Sequence, residues 1–401
     1  MKRTFVLLCA MLSFLFTSRA QNAVQIQTLL TDEGIEDIRM YIAGDTVYLS
    51  FEDHAYRGTF RGAATALQKI AQAYPEIAHF ELLLTDYQQP QIAIHATRQA
   101  GIWNVIADRQ MSKCLNRLHN IKAEARSTGK IDITVFPKVS LINNKLDHLF
   151  DYSVSIAPAI AATLWKGGRL TLQPIFPIIN NLEEQETNRY IQIGTANLSQ
   201  QFISTRRWQL SAAAGFFYPE RVGVYAKLGF HACKGLDLYI DGGYTYLANY
   251  SKQKGFGLVR NSAKVNFMAK ADYYEHHSKL QFELQGGRFL YGDYGGRFDV
   301  TRHFGEYAIG VYGILTGGEH NLGFHFAIPM GGKRQKRNGF IRLRLPEYVG
   351  WEYSMQSYFK YWLEKMGERY TTQPDETRAD HYWEPQFIQE YVSRILNGTF
   401  K

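Results

Sequence analysis

Few residue clusters in this sequence have the types and spacing that chemistry at a site requires. Glu275, His276 and His277 are metal-binding residue types, but the sequence places no further ligand near this run, so we interpret it as a polar turn. The segment Gly292–Gly296 is glycine-rich, yet a phosphate-binding loop is followed by a helix and this segment joins two strands. No Gly-x-Ser-x-Gly, Cys-x-x-Cys or His-Glu-x-x-His motif occurs. We therefore predict a protein that is not an enzyme and has no cofactor or metal.

The polar residues that remain alternate with apolar ones over most of the chain. In Val222–Ala232 the even positions are apolar, whereas the odd positions include Lys227 and His231. A β-strand points successive side chains to opposite faces, so each such segment has one apolar and one polar face. Many strands of this kind in a row are typical of an outer-membrane barrel that faces lipid outside and water inside.

The parity of these strands assigns individual side chains to the two faces. Residues such as Ile240, Leu284 and Leu322 would face lipid. The candidates for lining the lumen, along an ion or polysaccharide path, are Lys138, Lys227, Tyr239, Asp241, Lys264, Lys270, Asp272, Glu283, Arg297, Asp299, Arg342 and Arg344. Fixed cations would ease the passage of a polyanion. The same groups could instead form salt bridges that fill the interior, so the sequence leaves open whether the barrel is open or plugged.

The elements that carry these residues form a mainly β fold. We predict a transmembrane antiparallel β-barrel over residues 130–362, with about twelve to fourteen strands and fourteen as the preferred number. Alternate connections are short, for example 165–168, 204–207 and 233–235, as expected of periplasmic turns. The longest connections, at 141–151, 180–189 and 249–261, would face outward.

The N-terminus indicates export from the cytoplasm. Lys2 and Arg3 precede an apolar run, and Ser18–Ala20 supplies small residues for cleavage, so residues 1–20 are predicted to be a signal peptide. An uncleaved anchor is the alternative, although the run is short for a membrane span. The expected location is the outer membrane of a Gram-negative bacterium.

The segments that flank the barrel have a different pattern. Residues 21–98 have the order helix-strand-strand twice and predict a small periplasmic α+β repeat domain. Residues 99–129 are predicted to be a charged connector with helical character from Ala107 to Ala125. Residues 363–401 are predicted to be a periplasmic tail in which Glu384–Leu396 forms a short amphipathic helix. That helix could pack on the barrel mouth, on the N-terminal domain or on a partner.

The net charge indicates the class of binding partner, and the cysteine content limits the possible disulfides. The net charge is +8, which in an exported protein favours an anionic polymer or lipid headgroup over nucleic acid. Cys114 and Cys233 remain after cleavage, and whether they pair is open.

Several motifs resemble those of a known family. The loop Gly287–Gly296, with Gly287, Arg288, Gly292, Asp293 and Gly295, is similar to a loop in the C-terminal barrel of YjbH-like outer-membrane proteins. Further similar stretches are Gly34–Arg39, Phe51–Arg57, Ala157–Ala159, Lys166–Leu170, Val300–Phe304, Ala308–Tyr312 and Ile328–Gly331. The resemblance implies a role in exopolysaccharide or capsule secretion, without enzyme activity. It also implies paired periplasmic units that dock other components of an export system.

We therefore expect an outer-membrane barrel that assists export or assembly of an exopolysaccharide. Its partners would be outer-membrane lipids, an anionic polysaccharide, and periplasmic or lipoprotein export components, with no nucleic acid. The alternatives are a plugged barrel that anchors a periplasmic interaction scaffold, and a general diffusion porin.

Overall fold

The computed structural model describes residues 24–142, 151–181, 190–251, 255–330, 334–355, 364–374 and 383–399. The predicted signal peptide lies outside these residues. The chain is mainly β and divides into two compact units, residues 1–127 with 385–401, and residues 128–384. None of the helices in the described residues is long and apolar enough to span a membrane.

The described residues of the smaller unit form a five-stranded sheet with four helices. Its elements are α1 (24–32), β1 (Glu36–Ala43), β2 (Thr46–Glu52), α2 (Thr59–Ala73), β3 (His79–Asp86), β4 (Gln89–Gln99), β5 (Ile102–Asp108), α3 (Ser112–Leu118) and α4 (Pro385–Leu396). The sheet order is β1-β2-β3-β4-β5. Strands β2 and β3 are parallel, with α2 as the crossover between them, and the other pairs are antiparallel. The predicted helix-strand-strand repeat therefore forms one sheet.

Helix α2 forms because its apolar residues recur at helical spacing. Ala63, Leu67 and Ile70 are fully buried, and the helix stops before Pro75, which cannot continue it. Aromatic contacts join it to α4, since the Phe60 ring lies 5.1 Å from the Tyr391 ring. The predicted C-terminal helix thus packs within the smaller unit, which is one of the alternatives that the sequence left open.

The predicted connector 99–129 is wrong in its first part. Residues Ile102–Asp108 form strand β5, and the helix is limited to Ser112–Leu118. Trp103 and Val105 are buried while Ile106 is half exposed, which is the period of a strand and not of a helix. The β5 backbone also bonds α4 and the residue after it. Gln389 of α4 accepts from the Ala107 N–H, and Asn397 accepts from the Trp103 N–H and donates to the Trp103 carbonyl. Helix α4 therefore satisfies part of a sheet edge that would otherwise be unpaired.

The larger unit is one extensive sheet. Its strands are β6 (Ile131–Ile142), β7 (Asp151–Trp165), β8 (Gly168–Asn180), β9 (Gln192–Ser204), β10 (Trp208–Phe217), β11 (Arg221–Cys233), β12 (Leu236–Ser251), β13 (Gly255–Leu258), β14 (Lys264–Glu275), β15 (Leu280–Arg288), β16 (Tyr294–Phe304), β17 (Tyr307–Thr316), β18 (Glu319–Pro329), β19 (Ile341–Arg344) and β20 (Tyr348–Ser354). The order is β19-β6-β7-β8-β9-β10-β11-β12-β14-β15-β16-β17-β18-β20, and β13 pairs only with β12. Each strand from β6 to β12 and from β14 to β18 pairs with its neighbours in the chain.

The count and direction of strands differ from the prediction. The described residues contain fifteen strands in this sheet, and β13 lies inside the loop that we expected at 249–261. Strand β19 runs parallel to β6, so the sheet is not wholly antiparallel. Only Leu345–Glu347 separates β19 from β20, and these strands are consecutive parts of one extended path. Pro346 lies between them and has no N–H for a ladder, which explains the interruption.

Short turns keep the sheet in register. The β16–β17 connection consists of Gly305 and Glu306, and Gly305 has φ +70°, a conformation that glycine adopts without strain. Such tight turns fix which side chains share a face, because a one-residue slip would exchange the two faces of a strand.

Candidate functional site on the polar face of the large sheet

The large sheet buries its polar face and exposes its apolar face. On β12, Tyr239 and Asp241 are each 4% exposed, whereas Ile240 between them is 63% exposed. On β15, Leu284 is 58% exposed and Gln285 only 5%. The predicted parity is therefore the parity of the structure. Water-soluble sheets have the opposite arrangement, with the apolar face in the core.

An ion-pair network lies on this face between β16, β18 and β20. The Arg297 guanidinium is 2.8 Å from Asp299 and 2.9 Å from Glu352. His325 Nε2 lies 2.9 Å from Asp299, and the Arg297 guanidinium also lies over the Tyr312 ring at 3.8 Å. Each buried charge thus has an opposite charge in contact, as burial requires.

Pairs also join β11, β12, β14 and β15. Lys270 forms an ion pair with Glu283. The Gln281 amide donates to both oxygens of Asp272, at 2.8 and 3.0 Å. His231 and Asp237 are 2.7 Å apart. Of these contacts, Lys270–Glu283 joins opposite charges across neighbouring strands, whereas Asp272 is bound by a neutral amide.

The two arginines of β19 lie where the sheet reaches β6. Arg342 is fully buried with its Nε 3.8 Å from Asp132, which also accepts a 2.7 Å bond from Arg337. Arg344 is 2.9 Å from Glu347. These arginines are paired with buried carboxylates at the end of the sheet, so they are structural cations.

The remaining predicted cations contact rings or line the face. Lys138 Nζ lies 3.7 Å from the centroid of the Tyr218 ring, and Lys227 Nζ lies 4.3 Å from that of Tyr239. Both distances are those of cation–π contacts. Lys264 is half-buried opposite Thr245 in the ladder.

A cavity of about 590 Å³ opens on the polar face. Its wall includes the Lys138–Tyr218 pair and the Arg297–Asp299 network, together with Trp351. Hydroxyl and amide groups complete it, from Ser153, Ser155, Gln173, Gln192, Thr371 and Gln373. Of the predicted site residues, only Lys138, Arg297 and Asp299 line this cavity, and the others lie elsewhere on the same face.

A segment from the C-terminal part of the chain crosses the polar face. We call residues 364–374 the strap. Its Gly367 N–H donates to Asp293 at 2.8 Å. Arg369 donates to Gln285 at 2.6 Å and lies 3.5 Å from Asp241. The strap is thereby bound to the β15–β16 loop, to β15 and to β12.

Tyr370 is the central anchor of the strap. Its ring stacks on Phe217 with centroids 5.3 Å apart and an interplanar angle of 11°. Its hydroxyl donates to Asn266 at 3.0 Å. Gly243 lies beneath the hydroxyl, and a Cβ at that position would overlap it. The sheet therefore has a slot shaped for this side chain.

Beyond Tyr370 the strap continues toward β9 and β8. Thr371 exchanges two backbone hydrogen bonds with Tyr218, at 2.7 and 3.1 Å. Asn197 donates to the Thr372 carbonyl at 2.6 Å, and Arg169 donates to Gln373 at 3.3 Å. The strap thus touches strands from β15 across to β8 and forms part of the cavity wall. Sequence reasoning missed it, because residues 367–380 have the composition of a polar linker.

The loop motif Gly287–Gly296 is part of this anchorage. Asp293 accepts from Gly367 of the strap and from the Thr316 hydroxyl at 2.5 Å. Gly292 has φ +102°, and the Arg288 guanidinium lies 5.8 Å from the Tyr294 ring. Gly287 and Gly295 lie against neighbouring strands, where a Cβ would overlap backbone atoms.

The remaining candidates from the sequence have ordinary environments. Glu275 accepts backbone N–H bonds from His277 and Ser278 at 3.0 and 2.6 Å, which is the polar turn that we predicted. Cys114 is buried and Cys233 is exposed, and both are free thiols.

Comparison with known proteins finds no family model that matches the chain and no curated protein that matches it. The function must therefore be argued from the geometry of the two faces and the strap.

Proposed function

We propose that this protein is an outer-membrane β-barrel that assists the export or assembly of an exopolysaccharide. The observation that carries the membrane part is the large sheet with its apolar face exposed and its charged face sheltered. Ile240, Leu284 and Leu322 are each about three-fifths exposed, at 63%, 58% and 58%. Such a surface is costly in water and favourable in lipid, and alternation of this kind is the mark of outer-membrane strands.

The arrangement of the sheet ends supports closure into a barrel. Strand β19 pairs with β6, strand β20 pairs with β18, and the three residues Leu345–Glu347 join β19 to β20. The cavity wall draws Lys138 from β6 and Trp351 from β20, which are at opposite ends of the sheet order. Closure would leave no unpaired edge in the membrane, where unpaired backbone groups are not tolerated.

The polysaccharide part rests on the resemblance to YjbH-like proteins and on the chemistry of the cavity. Aromatic rings beside hydroxyl and amide groups suit the flat faces and hydroxyls of sugars. Lys138 supplies a cation for an anionic sugar. These features also fit the positive net charge of +8.

The test is surface polysaccharide in a strain that lacks the gene. We expect the amount on the cell surface to fall, and to be restored by the wild-type gene and by Lys234→Gln, which alters an exposed turn. We expect Lys138→Gln to restore it poorly while showing the heat-modifiable gel migration of a folded barrel. A surface polysaccharide that does not respond to loss of the gene would refute the export role.

The strap favours a second candidate, a plugged barrel that anchors the smaller unit as a periplasmic scaffold. Arg369, Tyr370 and Thr371 occupy the polar face through hydrogen bonds, stacking and an ion pair. A diffusion porin would need that space open. The discriminating measurement is conductance of the purified protein in planar bilayers, alone and with added anionic polysaccharide. If the protein conducts no ions in either condition, and export is unaffected by loss of the gene, the plugged barrel is favoured.

A further inference from the structure

A cluster of metal-binding side chains lies in the smaller unit, at one edge of its sheet. Glu52 is the last residue of β2, His54 follows two residues later, and Asp86 is the last residue of β3. All three therefore lie at the carboxyl ends of two parallel strands. In sheets with parallel strands and crossover helices, ligands bind at this edge.

The donor atoms have the spacing of a coordination shell. His54 Nε2 lies 3.1 Å from Asp86 Oδ1 and 3.4 Å from Glu52 Oε1. The three donor atoms lie within 4.8 Å of one another. An ion held at about 2.0–2.2 Å from each ligand separates adjacent ligand atoms by about 3.0–3.5 Å. The two distances from His54 Nε2 therefore already lie in or near this range, so these donor atoms need not move to hold an ion.

The surroundings hold the ligands in place. Glu52 is fully buried and His54 is 5% exposed. Ser127 Oγ donates at 2.7 Å to Glu52 Oε2, and the Tyr87 N–H donates at 2.6 Å to Glu52 Oε1. Outer hydrogen bonds of this kind orient metal ligands in proteins.

Charge gives a further reason for a cation. The carboxyl of Asp37, 1% exposed, meets Ser127 from the other side, so two buried carboxyls share one hydroxyl. With Asp86, three carboxyl groups lie in this part of the unit. A divalent cation would offset their negative charge.

We propose that Glu52, His54 and Asp86 bind one divalent transition-metal ion, with Zn²⁺ as the preferred ion and water completing its coordination. One imidazole and two carboxylates form a donor set for such an ion, whereas Mg²⁺ and Ca²⁺ prefer oxygen ligands alone. On binding, Glu52 and Asp86 each offer a carboxylate oxygen, and His54 offers its Nε2 lone pair with its proton on Nδ1. Ser127 acts as a positioning residue for Glu52. The inference is independent of the proposed membrane function.

The chain contains a matched control cluster. Glu275, His276 and His277 also bring three potential donors together, but the histidines are exposed and the Glu275 carboxylate bonds its own turn. Adventitious zinc would prefer those accessible imidazoles.

The experiment is isothermal titration of Zn²⁺ into the full mature protein, refolded in detergent after removal of metal with a chelator. We expect one tight site in the wild type and in the His276→Gln/His277→Gln double variant. We expect His54→Gln and Glu52→Gln to weaken it about 100-fold or more, and Ser127→Ala to weaken it by about 10- to 100-fold. Mg²⁺ and Ca²⁺ should not compete at equal concentration.

Glu52→Gln is the variant least expected to disturb folding, because the amide has nearly the same shape as the carboxyl. Circular dichroism and chemical denaturation of each variant are compared with those of the wild type. If His54→Gln does not fold, Glu52→Gln decides. A wild type that binds no Zn²⁺ at micromolar concentration, a folded Glu52→Gln that binds normally, or a site lost only in the His276/His277 variant would each overturn the proposal.

Discussion

At the scale of single residues, one exposed apolar residue from each sheet can test whether that sheet faces lipid or water. Leu284 of β15 and Ile106 of β5 are apolar strand residues with similar exposure, 58% and 50%. If the large sheet faces lipid, Leu284→Arg should lower the free energy of unfolding by roughly 2–4 kcal/mol. Ile106→Arg, in a unit that faces water, should change it by less than about 0.5 kcal/mol. Folding titrations in detergent or lipid measure both, and equal small effects would place the two residues in the same solvent.

One histidine of the smaller unit, His95, predicts that stability depends on pH. Hydrogen bonds to Asp108 and Glu81 raise the pKa of His95 to about 9, against a desolvation that lowers it. A raised pKa means that protonated His95 stabilises the folded unit fully below pH 6.5, and that this contribution is lost as pH rises through 9. Hydrogen exchange of β4 should therefore become faster from pH 6.5 to 9, after correction for the intrinsic rate. His95→Gln should remove that dependence. Protection that grows over this interval would contradict the assignment.

At the scale of elements, the strap has one side chain on which its placement depends. Tyr370 stacks on Phe217 and bonds Asn266. Lys365 instead lies 5.7 Å from the Tyr291 ring and acts on Glu220 and Glu368 through its charge. Tyr370→Ala should therefore release the strap, raising hydrogen exchange over residues 366–373 and increasing conductance in planar bilayers. Lys365→Ala is the control and should leave both unchanged. If Tyr370→Ala exchanges like the wild type, the strap is held by its backbone bonds alone.

The strand alternation predicted the elements of the large sheet well, because one-sided burial imposes a period of two on every strand. The positions of Lys227, Asp241 and Arg342 on the sheltered face followed from that parity alone. Strands were also expected near 339–345 and 351–361, where β19 and β20 lie. Their shared direction was not expected, because it depends on pairing with β6 and β18, which no local pattern encodes. Strand β5 was assigned to a connector because charged neighbours outweighed its short alternation. The strap left no signal, since its anchors are single residues in a polar segment.

At the scale of the whole molecule, the proposed topology predicts which turns each side of the membrane can reach. Cys233 ends β11 at a short turn, and His320 lies beside the β17–β18 turn at the opposite end of the sheet. A membrane-impermeant maleimide should label Cys233 only after the outer membrane is opened. In a Cys233→Ser background, His320→Cys should be labelled in intact cells. Buried Cys114, whose pKa burial raises to about 12, should stay unlabelled until the protein is denatured. Labelling of Cys233 in intact cells would invert the topology.

The discontinuity of the smaller unit has a consequence for biosynthesis. Helix α4 supplies Ile388, Tyr391 and Val392, all fully buried, to a unit whose other elements precede the entire large sheet. A ribosome completes α4 about 290 residues after β5, so the N-terminal portion emerges with Phe60 and the β5 edge uncovered. The nascent chain must be kept from aggregating over that interval. A prematurely terminated chain would keep that apolar surface exposed, because it lacks α4. Chaperones and proteases that bind such surfaces would therefore distinguish truncated chains from complete ones.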